Sequence, residues 1–167
     1  MRTVLLSLFL LGWFFSARAQ MTNARMDSIL RTLPAEIEGE PGGWTLQVGD
    51  TPLVVITDAR ANRMRIFSPV VEETEVDEAM LAKLLEANFH SALDAKYAVY
   101  RGFVVSVFTH PLGELTDAQF EDALLQVLTL TRTYGTTFSS TDKVFGGGFG
   151  QEGPAERPEP RERIKKS

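Results

Sequence analysis

The side chains that could take part in catalysis are few and lie far apart in the sequence. Histidine occurs only at His90 and His110, and cysteine is absent. A hydrolase needs a nucleophile, a base and an orienting acid in contact, and no G-x-S-x-G segment supplies a nucleophile elbow. Ser106 lies inside an apolar run, where its hydroxyl is expected to face solvent or a neighbour. The sequence predicts no catalytic residues and no enzyme activity, with a small secreted hydrolase as the alternative.

Metal and cofactor sites are not predicted either. Without cysteine, disulfides, iron–sulfur clusters and zinc–thiolate sites are excluded. The densest carboxylate cluster, at positions 72–78, lacks the spacing and glycine of an EF-hand, so we interpret it as the solvated start of a helix. The glycine run at 146–150 lacks the Gly-Lys-Ser/Thr ending of a phosphate-binding loop.

The charge distribution limits the class of partner. Residues 20–137 carry 17 acidic and 9 basic side chains, a net charge of −8. Such a charge repels phosphate backbones and anionic membrane surfaces, so nucleic acid is excluded as a partner. Arg60, Arg63 and Arg65 form a small basic group whose alternation is typical of a solvent-facing strand, the alternative being a contact for an acidic partner segment.

The N-terminus has the pattern of a secretory signal peptide. A basic start at Arg2 precedes an apolar run from Val4 to Phe15, and Ala17-Arg18-Ala19 places small residues before a cleavage site at Gln20. Residues 1–19 are therefore predicted to be removed during export. The apolar run is too short to span a bilayer. The mature chain is expected to be periplasmic or extracellular, without stable membrane insertion.

The C-terminal residues 138–167 differ in composition from the rest. They combine the glycine run with Pro154, Pro158, Pro160 and interleaved charges, and we predict a disordered tail. Phe145 and Phe149 in this tail are either parts of a linker or anchors for a partner. The folded domain is accordingly assigned to residues 20–137.

Helical periodicity marks three segments of this domain. The first helix, ended by Pro34, is short and beside a loop, so its apolar stripe is core that a partner could share, together with Trp44. The middle helix follows a capping pair at Thr74 and Asp77, and its stripe is a core or dimer face. The third begins at Thr116 with a capping box. The first stripe comprises Met26, Ile29, Leu30 and Leu33, and the middle stripe Met80, Leu81, Leu84 and Leu85.

Five short segments have strand character, and residues 35–43 have loop character. The order helix-β-β-β-helix-β-β-helix predicts an α+β domain, an antiparallel sheet with helices packed on one face. The predicted strands are 44–48, 53–57, 63–67, 96–100 and 103–108.

This order, with Leu84-Leu85-Glu86-Ala87-Asn88 ending the middle helix and His110-Pro111-Leu112 leading to the third, resembles the Tir-chaperone-like fold. That fold is shared by class I type III secretion chaperones and YbjN-like proteins. The resemblance implies a small acidic non-enzymatic homodimer whose interface involves the middle helix and nearby strands. It also implies that apolar patches hold extended segments of a client polypeptide. The exported leader and the tail are not part of the family pattern.

The sequence thus predicts a chaperone-like, polypeptide-binding protein of the bacterial envelope or periplasm. Binding would combine apolar contacts with backbone pairing along a strand edge. A structural or assembly component of the envelope, tethered by its tail, is a further alternative.

Overall fold

A computed structural model describes residues 20–141, which form a six-stranded antiparallel sheet and three helices. The predicted signal peptide and residues 142–167 of the predicted tail lie outside the described residues. The sheet order is β1-β2-β3-β4-β6-β5. The helices are α1 (Asn23–Leu30), α2 (Glu78–His90) and α3 (Asp117–Arg132). The strands are β1 (Glu36–Glu40), β2 (Gly43–Val48), β3 (Thr51–Asp58), β4 (Arg63–Glu72), β5 (Lys96–Tyr100) and β6 (Phe103–His110).

The predicted α+β class and helix–strands–helix–strands–helix order are confirmed, with one added strand. Four strands, not three, precede α2, because β1 lies where a loop was predicted. All five β1 residues pair with β2, and only Ile37 packs partly against the core. Gly39 has φ +105°, and a Cβ there would lie 2.2 Å from the carbonyl oxygen of Gly43. Backbone pairing, rather than an apolar pattern, therefore defines this strand.

Strand β4 continues beyond Pro69, although the predicted strand ended at residue 67. Its pairing with β6 shifts register between Pro69 and Val71, as at a β-bulge. Strand β3 pairs with β4 only as far as Phe67, so Pro69 lies where β4 has a neighbour on one side only. A strand tolerates proline at such a position.

The helices α1 and α3 cover one face of the sheet. Helix α3 crosses the central strands, and the Oγ atom of Ser106 in β6 donates to the carbonyl oxygen of Val127 at 3.1 Å. Its predicted capping box is present, with Thr116 accepting from the Gln119 amide and the Gln119 side chain accepting from the Thr116 amide. The largest fully buried side chains come from these two helices and the facing strands: Trp44, Phe120, Met26, Leu30, Leu46, Leu53, Met64 and Ile66.

Helix α1 is fixed to the sheet by a buried tryptophan. The Trp44 indole Nε1 donates to Asp27 Oδ1 at 2.9 Å, and Arg31 Nε donates to Asp27 Oδ2 at 2.8 Å. These hydrogen bonds, that of Arg31 first, lower the pKa of the Asp27 carboxyl. Arg25 also forms an exposed ion pair with Asp117 at the start of α3. The α1 stripe is thereby held inward, against the sheet.

Helix α2 lies beside the sheet, against β5, and buries little of its surface. It is capped by Asp77, which accepts from the Met80 amide at 2.7 Å, while Thr74 lies in a preceding 3₁₀ turn. Of its residues, only Leu84 and Ala87 are buried. The ammonium group of Lys96 donates to the carbonyl oxygens of Asn88 and Leu93, which closes the C-terminal end of the helix.

The packed chain extends slightly past the predicted domain boundary at residue 137. Phe138 packs against Tyr97 and Tyr134, with ring centroids 6.3 and 5.9 Å away. Ser140 is buried, and its amide donates to the carbonyl oxygen of Ser91 at 3.2 Å. Residues 138–140 therefore belong to the folded domain, since aromatic packing and the end of α2 hold them.

Candidate functional site

Exposed large apolar side chains are concentrated in one region of the described structure. Five lie on α2 and the neighbouring strand β5: Phe89 is 80% exposed, Leu85 70%, Val99 50%, Leu81 37% and Tyr100 46%. Two more, Ile56 and Phe103, lie on other strands of the sheet, and the eighth, Leu125, lies on α3. Concentrated apolar surface of this kind is typical of an interaction site.

The first four residues form what we call the edge surface: Leu81, Leu85, Phe89 and Val99. A groove of about 230 Å³ lies between α2 and β5, and Leu81, Leu85 and Val99 of this surface line it together with Leu84, Tyr97 and Ala98. Helix α2 buries only Leu84 and Ala87 and leaves its other large apolar side chains partly or largely uncovered. The edge surface therefore joins a helix face to the free side of an edge strand.

Asn88 holds this edge in place. Its side chain accepts from the Tyr97 amide at 2.7 Å and donates to the Tyr97 carbonyl oxygen at 3.1 Å, in the manner of a neighbouring strand. Alternate residues of a strand direct their backbone groups to the same side, so the amide and carbonyl of Val99 also point away from β6. The edge of β5 is thus closed at Tyr97 and open to a further strand at Val99.

The uncovered face of the sheet continues from the edge surface. A hollow of about 270 Å³ on this face is lined by Ile56, Arg65, Phe67, Tyr100 and Val107, among others, and it shares Ala98 and Val99 with the groove. The rings of Phe67 and Tyr100 meet edge to face, with centroids 5.8 Å apart. The predicted solvent-facing position of Arg65 agrees with its exposure beside this hollow.

A second apolar groove, the α3 groove, lies on the opposite side of the domain. Leu33, Val48, Leu124, Leu125 and Leu128 line its cavity of about 180 Å³. Pro34 and Ala35, which lead into β1, form one wall. Strand β1 pairs only with β2, so its outer edge is free beside this groove. Apolar side-chain pockets and unpaired backbone therefore lie together here as well.

The five residues predicted to bind a partner do not form one surface. Met26, Ile29, Leu30 and Trp44, predicted to bind a partner, are buried in the core, so they offer no surface while α1 is seated. This corrects the expectation that a partner could share Trp44 with the core. Leu33, the fifth member of that prediction, is half-buried and lines the α3 groove.

The predicted core or dimer face on α2 is divided. Leu84 is core, Leu81 and Leu85 belong to the edge surface, and Met80 is half-buried against the core cluster. Sequence reasoning did not single out Phe89, Val99 and Leu125, and it named Asn88 only as the last residue of the Leu84–Asn88 stretch that carries the family resemblance. Leu125 carried a signal, because it is a large apolar residue one position off the α3 stripe.

Within residues 20–141, the two histidines and Ser106 have separate sets of contacts. His110 Nδ1 contacts the carbonyl oxygen of Pro111 at 2.8 Å, and His90 stacks edge-on against Phe89. The Ser106 hydroxyl is hydrogen-bonded to the Val127 carbonyl oxygen and to the Thr131 hydroxyl of α3. Burial raises the pKa of the Tyr97 phenol, which stays protonated and donates to the carbonyl oxygen of Leu130 at 2.8 Å.

Two further properties hold for residues 20–141. No group of three or more His, Asp or Glu side chains in this range is placed to hold a metal ion. The helices in the same range include none with the length and hydrophobicity needed to traverse a lipid bilayer.

The chain was compared with known proteins at the levels of family, sequence and structure. No family model and no curated protein matches it. Its structure is similar to a chain of the ExsC-ExsE complex, with 19% identity and a TM-score of 0.52 over 67% of this chain and 92% of that one. It is also similar to a chain of the HopA1-SchA chaperone-effector complex, with 13% identity and a TM-score of 0.50 over 65% and 88%. These likenesses confirm the predicted type III secretion chaperone-like fold.

Asn88→Ala should open the edge of β5. Both hydrogen bonds to Tyr97 are lost, so we expect the free energy of unfolding to fall by about 1–3 kcal/mol and exchange of the Tyr97 amide hydrogen to accelerate. Asn88→Asp keeps the acceptor for that amide and loses only the donor, so it should slow exchange relative to the alanine variant. Hydrogen exchange by NMR measures both, with Gln47→Ala as the control. Unchanged Tyr97 exchange in Asn88→Ala would show that the edge is closed by something else.

Proposed function

We propose that this protein is a non-enzymatic, chaperone-like binder of extended polypeptide segments, exported to the bacterial envelope or periplasm. The observation that carries the proposal is an apolar groove placed directly beside a free strand edge. The likeness to a chaperone-effector complex supports it at the level of the fold. The isolation of both histidines from serine and carboxylate partners favours binding over hydrolysis.

The α3 groove is the proposed client site. An extended segment added alongside β1 would form backbone hydrogen bonds with its free edge and direct every second side chain towards Leu33, Leu125 and Leu128. This site combines two features predicted from the sequence, pairing along a strand edge and a contact with Leu33 of the first helical stripe. Leu46 and Leu53 of the sheet also line this groove.

Charge gives this site its selectivity. The exposed side chains of Glu36, Glu38 and Glu40 line β1, and Glu121 lies at the groove. Like charges on an edge strand discourage two copies from pairing through β1. The same carboxylates attract a segment that carries lysine or arginine between its apolar residues. The proposed client segment is therefore extended, alternately apolar and basic.

Selection of displayed random peptides on the protein tests this site. We expect enrichment of alternating apolar and basic residues. Leu125→Glu should weaken binding of a selected peptide by about tenfold or more, because a carboxylate would be desolvated in the groove. Leu85→Glu, an equivalent change on the edge surface, should leave the affinity unchanged in titration calorimetry. Equal affinity for wild type and Leu125→Glu would remove the α3 groove as the client site.

The edge surface is the proposed homodimer contact. It combines Leu81, Leu85 and Phe89 with the open edge of β5 at Val99, and the apolar sheet face adjoins it. A second copy covering this surface would remove four exposed apolar side chains per chain from water. Two domains at −8 repel each other, so apolar burial must supply the attraction. Salt shortens the range of the repulsion and should not dissociate such a dimer.

Sedimentation at low and high ionic strength tests the dimer. A dimer is expected in both buffers at tens of micromolar, slightly tighter at high salt. Leu85→Glu should raise its dissociation constant by about tenfold or more, while Leu125→Glu should leave it unchanged. Leu85→Glu is thus the test variant for the dimer and the control for peptide binding, and Leu125→Glu is the reverse. A wild-type monomer in both buffers would contradict the proposed dimer.

Export is proposed from the N-terminal pattern of basic start, apolar run and Ala17-Arg18-Ala19. The intact mass of the protein recovered from the exported fraction should correspond to a chain that begins at Gln20. Ala19→Pro, which places a proline at the cleavage position, should leave the precursor uncut, and Thr22→Pro serves as the control beyond the site. Soluble cytosolic protein that retains residues 1–19 would contradict export.

A further inference from the structure

The described chain ends beside the edge surface. The Ser140 amide donates to the carbonyl oxygen of Ser91 at 3.2 Å, and the Ser91 hydroxyl donates to the carbonyl oxygen of Phe138 at 2.6 Å. Ser91 is the residue that directly follows α2, and it comes two positions after Phe89. The segment that begins at residue 142 therefore starts at the C-terminal end of α2.

The first residues of this segment are suited in length and composition to the edge surface. Its first apolar residues are Val144, Phe145 and Phe149, and three glycines separate the two phenylalanines. At roughly 3.3 Å per extended residue, Phe145 can reach about 13 Å from Thr141 and Phe149 about 26 Å. The 13 residues of α2 span about 20 Å at 1.5 Å per residue. The α2 residues of the edge surface are therefore within reach of Phe149.

The charged residues of the segment and those at the start of α2 are also complementary in sign. The far end of the segment is basic, with Arg161, Arg163, Lys165 and Lys166. The opposite end of α2 is acidic, with exposed carboxylates at positions 72–78. A segment running from the C-terminal to the N-terminal end of α2 would place its aromatic residues over apolar side chains first and its basic residues near carboxylates afterwards.

We propose that residues 144–149 fold back over the edge surface of the same chain, with Phe145 and Phe149 in contact with Leu85, Phe89 and Val99. The segment then occupies the surface that a second copy would cover, so it restrains dimer formation. This consequence rests on the dimer proposed above, whereas the contact within one chain does not.

Tethering makes such a contact competitive. A short connection within one chain gives the segment an effective concentration of the order of millimolar at its own surface. A second copy at micromolar concentration is far more dilute. Both partners must be open to associate, so closure of half of the chains would raise the apparent dissociation constant about fourfold.

The contact can be mapped by NMR, because the chain has no cysteine and Gly150→Cys introduces a single labelling position. A nitroxide at this position in the mature chain should attenuate the methyl signals of Leu85 and Val99 much more than those of Leu125. Equal attenuation at the three residues would overturn the proposal. Attenuation seen only when labelled and unlabelled chains are mixed would also overturn it, because the segment would then occupy another copy.

The consequence is tested by replacing the anchors. Phe145→Ser with Phe149→Ser should tighten the dimer about fourfold or more in sedimentation, while Pro154→Ser with Pro158→Ser should not. A tightening by the control pair as well would overturn the assignment to the two aromatic residues. Attenuation at Leu85 in a wild-type monomer would support the contact and remove the dimer. A dimer without attenuation would keep the dimer and remove the contact.

Discussion

The packing of α3 across the central strands is the interaction on which the rest of this structure depends. Phe120, Ala123, Val127 and Leu130 expose no surface, and their helix receives hydrogen bonds from Ser106 and Tyr97. The chain has no disulfide to supplement this packing. Helix α3 packs on the central strands β3, β4 and β6, and exposed apolar side chains remain at its margin and on α2 and β5. The α3 groove and the edge surface thus lie to either side of the part of the sheet that α3 covers.

The two ends of the sheet deal with their free edges differently. At β5, a side chain substitutes for a missing strand, since Asn88 pairs with both backbone groups of Tyr97. At β1, carboxylates at 36, 38 and 40 line an edge that stays open. The Asn88 amide occupies the backbone groups of Tyr97, so no further strand can pair with β5 at that residue. The carboxylates of β1 leave its backbone free and favour basic over acidic partners. The domain therefore presents one apolar and one electrostatically selective edge, which suits two different contacts.

Sequence patterns predicted the elements whose stability is local. The α3 periodicity and its capping box lie where predicted, and Arg101 and Gly102, with φ of +52° and +80°, form the turn between the predicted strands 96–100 and 103–108. Strand β1 was missed because Glu-Ile-Glu-Gly-Glu has a single apolar residue and owes its conformation to pairing with β2. The α2 stripe was recognised, but periodicity does not say how far a neighbour extends. Leu84 is buried while its neighbour Leu85 is exposed, and only the packed structure distinguishes the two positions.

The packing of α1 over Trp44 has a spectroscopic consequence. Trp44 is the sole tryptophan after the predicted cleavage site, and its indole is enclosed between α1 and the sheet with its N–H bound to Asp27. Its fluorescence is therefore an intrinsic reporter of one event, the lifting of α1. An unchanged emission maximum during client binding would mean that the helix stays seated, and a shift to longer wavelength would mean that the indole has met water. The protein thus carries its own optical probe at the boundary between its core and its first helix.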